Sequence, residues 1–125
     1  MRTVLSIAVL GALGAVARHL TGSWLKAHVD TPLPVGTIAV NVVGSFLLGL
    51  LTALAISERV PETLRAPLAI GFLGSFTTFS TLSLESVQLL QAGRLDLAAL
   101  NLGIQLGAGL LALAAGLALG RGMAS

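Results

Sequence analysis

Residues 71–83 read GFLGSFTTFSTLS, and six of these thirteen side chains carry a hydroxyl. In a helix, Ser and Thr singly are tolerated in apolar surroundings because they bond back to the preceding turn's carbonyls. Six between Ser75 and Ser83 wrap every face of a helix, including any that would meet lipid. Gly71 and Gly74 weaken the helix further, by about 1 kcal/mol each relative to Ala. The spacing therefore predicts a break in a helix. At membrane depth, non-helical backbone is tolerated only where protein buries it or where it lines a watery cavity. There, half-helix N-termini favour anions and freed carbonyls favour cations. The bland alternative is that the hydroxyls join helices and nothing permeates.

Two other residues could do related chemistry. Asn41, in GTIAVNVVGSF, is a lone amide in an apolar run. It either bonds a neighbouring helix, contributing roughly 0.6 kcal/mol, or offers two N–H donors to an anion. Arg18 stands late in another apolar run, where it either snorkels to the interface or raises the local potential for an anion. Acid–base and metal chemistry find no footing. The chain has no Cys, and His19 and His28, with Asp30 nearby, form neither a clustered ligand set nor a nucleophile–base pair. They read as interfacial residues, and the protein as not an enzyme.

The elements that must position these residues follow from composition. With its 15 glycines, roughly two thirds of the 125 residues are apolar or glycine, and only 10% are charged. A chain this short leaves much of its surface exposed, so the solvent for that surface must be lipid. Charges divide the sequence into four apolar stretches, with spans near 3–24, 35–57, 64–91 and 95–120 in a single domain over 1–125. Each is long enough for the roughly 20 residues a crossing needs. Pro67 is expected in the first turn of the third helix, where its missing N–H does least harm. Arg2 followed by an apolar run and Ala15-Val16-Ala17 also has the form of a cleavable signal peptide. The Arg18-His19 pair that follows, and the three helices cleavage would strand, weigh against that. The predicted fold is an all-α membrane protein of four transmembrane helices, the third broken near mid-membrane.

Orientation signals nearly cancel. Arg2, Arg59, Arg65 and Arg121 share one side, and Arg18, Lys26 and Arg94 the other. Such balance fits either a weak topology signal or a protein that inserts both ways up and pairs antiparallel. The formal charge of +2 comes from scattered single bases, which excludes the basic stripe a nucleic acid needs. Small residues at close-packing spacing, Gly11, Gly14 and Ala15, then Gly44, Ser45 and Gly49, then Gly103, Gly107 and Gly109, are expected to seat helices against one another.

Taken together, GALGAVARHL (11–20), GTIAVNVVGSFLLG (36–49) and GFLGSFTTFSTLSLE (71–85) on four spans resemble the Fluc/CrcB family of fluoride channels. The resemblance covers essentially the whole chain. It implies an antiparallel dual-topology homodimer with two fluoride pores and a structural Na+ at its interface, and no other cofactor. Carried residue by residue, it places the Na+ on the backbone carbonyls of Gly74 and Thr77, and the pore amide at Asn41. Arg18 becomes the basic vestibule residue, Ser80 and Thr81 the hydroxyls after the break, and Phe79 the first ring of a phenylalanine pair. The implied function is passive export of cytoplasmic fluoride across a prokaryotic plasma membrane, relieving fluoride toxicity.

The pattern is departed from at two places. Leu82 stands where the second phenylalanine of the pair is expected, so a ring edge is missing unless Phe76 supplies one from another direction. In the fourth span, where family members often show Tyr and Ser, Asn101 and Gln105 lie four apart on one face. They form either an amide track in place of a hydroxyl one or a bond between helices. These departures leave open a heterodimer with a second, complementary subunit. An antiparallel four-helix multidrug transporter is the rival of similar size. It would want a membrane-buried carboxylate, and the first three spans hold none before Glu85.

Overall fold

The computed structural model describes all 125 residues. Six α-helices and one π-helical stretch follow in order: α1 (Arg2–His28), α2 (Val35–Ile56), α3 (Glu62–Ala66), the π segment Pro67–Leu73, α4 (Gly74–Phe76), α5 (Phe79–Gln91) and α6 (Leu95–Ala124). There is no strand. α1, α2, the composite stretch Glu62–Gln91 and α6 are each long and apolar enough to cross a membrane.

Only 20 of the residues are buried, while Leu13, Val16, Leu110, Leu111 and many other large apolar side chains face outward. A water-soluble monomer does not expose such continuous apolar surface. The four apolar spans and their outward apolar surface together describe a multi-pass membrane protein.

Glycine decides where helices touch. α2 and α6 form the most extensive pair, and a Cβ at Gly49 would run into Leu113 O, while one at Gly116 would run into Phe46 O. α1 lies on the π segment, where a Cβ at Gly14 would overlap Phe72 O and one at Gly71 would come within 2.8 Å of Ile7 O. Gly44 faces the Thr77 methyl in the same way. The sequence expectation for the fourth span needs correction. Gly103 and Gly107 meet nothing within 4 Å and Gly109 only Ser45 Oγ at 3.7 Å; the contact glycines are Gly116 and Gly120, two turns further on. Periodicity alone cannot tell which of two small-residue faces on one helix meets its neighbour inside the subunit.

The third span departs from simple helix twice. It begins at Glu62, earlier than the sequence suggests, so Pro67 falls after the first turn. Proline there cannot donate to the carbonyl four residues back and crowds it, and the backbone widens to i→i+5 winding from Pro67 to Leu73. The second departure is at Thr77 (φ −88°, ψ 158°) and Thr78 (φ −153°, ψ 118°), two extended residues between α4 and α5.

Two loops end helices with the same hydrogen-bond pattern. Glu58 N–H donates to Ala55 O and Arg59 N–H to Leu54 O; Gly93 N–H donates to Leu90 O and Arg94 N–H to Leu89 O. Both pairs form Schellman motifs, whose C′ residue is left-handed. Gly93 adopts φ 74° at no steric penalty, but Glu58 is held at φ 60° with a Cβ. Replacing Glu58 by glycine is expected to raise stability by about 1 kcal/mol, and Gly93→Ala to lower it by about as much. Thermal unfolding in detergent reads both, and opposite signs are the expected result.

Candidate functional site

The extended pair Thr77–Thr78 is where the polar groups converge. Breaking a helix strands backbone N–H and C=O groups, and each must find a partner when buried. Thr78 N–H donates to Asn41 Oδ1 at 2.7 Å, and Asn41 Nδ2 donates back to Thr78 O at 3.0 Å. The α2 carboxamide thus pairs with Thr78 as a neighbouring strand would. Thr77 is held from its own helix, its N–H and its Oγ1 both donating to Leu73 O at 3.0 Å.

The side chain of Thr78 then starts α5. Its Oγ1 accepts from Thr81 N–H at 3.2 Å, the N-cap bond that satisfies a first-turn donor. The same hydroxyl donates to Thr81 Oγ1 at 3.1 Å and lies 3.3 Å from Ser80 Oγ. With the Thr78 hydrogen spent on Thr81, Ser80 is the donor of that last bond. The Thr81 hydroxyl hydrogen is then the one of the three left for a ligand.

Asn41 extends the network into α6. Its second N–H donates to Gln105 Oε1 at 2.6 Å; Gln105 Nε2 donates to Asn101 Oδ1 at 2.8 Å; Asn101 Nδ2 donates to Ser86 Oγ at 3.1 Å; and Ser86 Oγ donates to Leu82 O at 2.7 Å. Asn101 is fully buried and Gln105 nearly so. A polar chain of this depth is tolerated because every link is paired.

Two cavities meet at Thr78. A vestibule of about 1020 Å³ opens between the C-terminal half of α1, the α1–α2 loop and α5, with Arg18, Lys26, Asp30, Thr81 and Glu85 among its lining. Two cations and two carboxylates thus share its wall. On the floor, Thr37 Oγ1 donates to Glu85 Oε1 at 2.8 Å, while Glu85 Oε2 is buried without a partner. On the other side of the break lies a cleft of about 290 Å³ touched by Asn41, Gly74, Thr77, Phe79, Leu82 and Gln105.

The residues singled out from sequence divide three ways. Asn41, Asn101 and Gln105 join in one network around Thr78, and Arg18 and Thr81 share the vestibule. Phe79 is 75% exposed and projects from the subunit, with Ser80 exposed beside it and Gly74 open on the cleft side. Phe76 and Leu82 are buried, and the Phe76 ring stacks on Phe72 at 5.8 Å, so it packs inward while Phe79 faces out. Both N–H groups of Asn41 are already engaged within the subunit. Sequence reasoning singled out neither Thr78 nor Thr37 and Ser86. Thr37 sits four residues before Asn41 and Ser86 four after Leu82, so helical spacing could have put the first on the Asn41 face.

A short chain of four apolar spans, one interrupted by extended hydroxyl residues and clamped there by amides, is the architecture of a small integral-membrane transport protein. Residues 5–117 match the family described as CrcB-like protein, Camphor Resistance (CrcB), and the chain belongs to it. It is 50% identical over 107 residues to the Fluoride-specific ion channel FluC 2 of Symbiobacterium thermophilum, covering 85% of this chain and 87% of that protein. It is 47% identical over 102 residues to the Fluoride-specific ion channel FluC of Geobacter metallireducens, covering 81% and 82%. With the Fluoride-specific ion channel FluC of Pseudomonas syringae pv. tomato it shares 39% identity over 122 residues, covering 97% and 98%.

Proposed function

We propose that two copies of this chain, inserted antiparallel, form a passive fluoride-selective channel through which fluoride leaves a prokaryotic cell down its electrochemical gradient. The printed function of the bacterial relatives supports it, and so does membership of the family. The observation that carries it is the interruption at Thr77–Thr78. There a thirteen-residue helix begins inside the polar network, its positive end and its first-turn donors directed at the break.

Fluoride holds its water tightly, so a pathway must offer fixed donors in its place. Arg18 would draw the anion into the vestibule, the free Thr81 hydroxyl would take over from water, and Ser80 would brace Thr78 through its own hydrogen bond. The outward Phe79 ring would present its electropositive edge. Asn41 acts by holding Thr78 in place, since its own donors are spent. Leu82 and Phe76, both buried, contribute bulk to the walls.

The dimer rests on the same face. Phe79 and the Gly74–Thr77 cleft are open in one subunit, and a second copy would cover them. Sodium at that seam fits the donor set: neutral carbonyls of Gly74 and Thr77, with no group of three His, Cys, Asp or Glu anywhere to attract a transition metal. Two carbonyls from one chain are too few to hold a cation alone, and the same two from a partner copy would bring the set to four.

Fluoride efflux from liposomes holding the purified protein, followed with a fluoride electrode beside a chloride control, tests the reading. Rapid fluoride release without chloride release is expected, and loss of that release after exchange of all sodium for a bulky organic cation. Silence from well-folded protein would defeat the homodimeric channel and direct the search to a complementary second subunit.

A further inference from the structure

We infer that Gln105 and Asn101 are positioning residues: they hold the Asn41 carboxamide, and with it the extended backbone of Thr78, through a chain of hydrogen bonds that can run in only one direction. One group in the chain cannot reverse. A backbone N–H only donates, so Asn41 must turn Oδ1 toward Thr78 N, as it does at 2.7 Å. That turns Nδ2 toward α6, where only an acceptor can meet it, so Gln105 presents Oε1. Gln105 Nε2 is thereby aimed at Asn101, which must present Oδ1, and Asn101 Nδ2 then aims at Ser86 Oγ. Ser86, receiving a hydrogen, sends its own to Leu82 O. Turning any one amide over would set N–H against N–H or oxygen against oxygen at under 3.2 Å.

The chain links three spans, and both its ends lie on α5 or at its head: Thr78 precedes the first turn and Leu82 O closes the loop one turn on. A hydroxyl side chain at position 105 would be too short to stand in for Gln105, whose four-atom reach brings its amide against that of Asn41. Gln105 and Asn41 also share the cleft with Phe79, so the clamp borders the surface on which the pathway is proposed. In this chain the fourth span thus contributes orientation as well as packing. The expectation for conduction rests on the channel reading above; the expectation for Asn41 itself does not.

The test uses full-length protein in detergent micelles with 15N-labelled Asn and Gln, reading hydrogen exchange of the Asn41 side-chain amide. Wild type is expected to exchange slowly. In Gln105→Met, which keeps the length and loses the acceptor, Asn41 exchange is expected to rise at least tenfold. In Gln105→Glu, read at a pH that keeps its carboxyl protonated so that it accepts from Asn41 and donates to Asn101, it is expected to stay within about threefold of wild type. Wild-type protection in Gln105→Met would overturn the inference, and so would equal loss in both variants, which would make shape and not the acceptor the cause. If Gln105→Met does not fold, Gln105→Glu decides alone, retained protection supporting the inference and lost protection defeating it. In liposomes Gln105→Met is expected to conduct fluoride about tenfold more slowly. A wild-type protein that conducts nothing would fail the channel reading and leave the exchange result standing.

Discussion

Replacing Asn41 by aspartate is expected to cut fluoride efflux at least a hundredfold, although the two side chains have nearly the same shape. One aspartate oxygen could still accept from Thr78 N–H. The other would face Thr78 O and Gln105 Oε1, which Asn41 Nδ2 now meets at 3.0 and 2.6 Å, so a donor would be replaced by a third acceptor. Each stranded buried group costs about 1–3 kcal/mol. An ionised carboxylate adds charge: at about 6 Å and an effective dielectric near 20, two like charges repel by nearly 3 kcal/mol, about a hundredfold in anion occupancy. Asn41→Ala removes the clamp without adding charge, so it should destabilise the protein while slowing efflux less than aspartate does. Efflux at wild-type rate in Asn41→Asp would show that the break is held by other means and that no anion passes near it.

The second large effect concerns stability. Gly116→Ala and Gly49→Ala are each expected to cost about 3 kcal/mol or more, seen as a loss of folded protein in detergent or a fall of many degrees in the unfolding midpoint. At both positions the added Cβ would sit inside the van der Waals surface of a backbone carbonyl, Phe46 O or Leu113 O. A backbone cannot rotate aside as a side chain can, so the α2–α6 pair must separate along its length, and close packing is what holds helices together in lipid. Gly103→Ala and Gly107→Ala provide the control. Neither Cβ would meet an atom of the subunit, so the single subunit predicts no loss and a gain of up to about 1 kcal/mol from helix propensity. A loss at Gly103 or Gly107 would instead show that their face of α6 is covered in the assembled protein.

The glycines show what kind of information a sequence holds about this fold. Four crossings were legible because charge cannot enter hydrocarbon cheaply, and the gaps between Arg2, Arg18, Lys26, Arg59, Arg65 and Arg94 measure out the lengths. That small residues would make helix contacts was legible too. Which glycines do so was not. Gly109 and Gly116 are both buried on α6, yet only the second touches the α2 backbone. That depends on the crossing angle and axial offset of two helices, quantities summed over the whole interface and encoded by no single position.

The site divides along the same line. Hydroxyl density between Ser75 and Ser83 marks the local polarity of the third span, and Asn41, Asn101 and Gln105 declare themselves as amides needing partners in an apolar chain. Residue type alone determines that much, because an unpaired polar group is costly anywhere in hydrocarbon. Partnership is another matter. Asn41 lies 37 residues from Thr78 and 64 from Gln105, and only the packing of α2 against α6 and beside the break in the third span brings the three within hydrogen-bond reach. The tertiary structure therefore decided that both donors of Asn41 are spent inside the subunit, that Thr81 keeps a free hydroxyl on the vestibule, and that Phe76 faces inward while Phe79 faces out. Hydrogen bonds saturate and have direction, so an inventory of donors and acceptors becomes a mechanism only when the fold states which have been used.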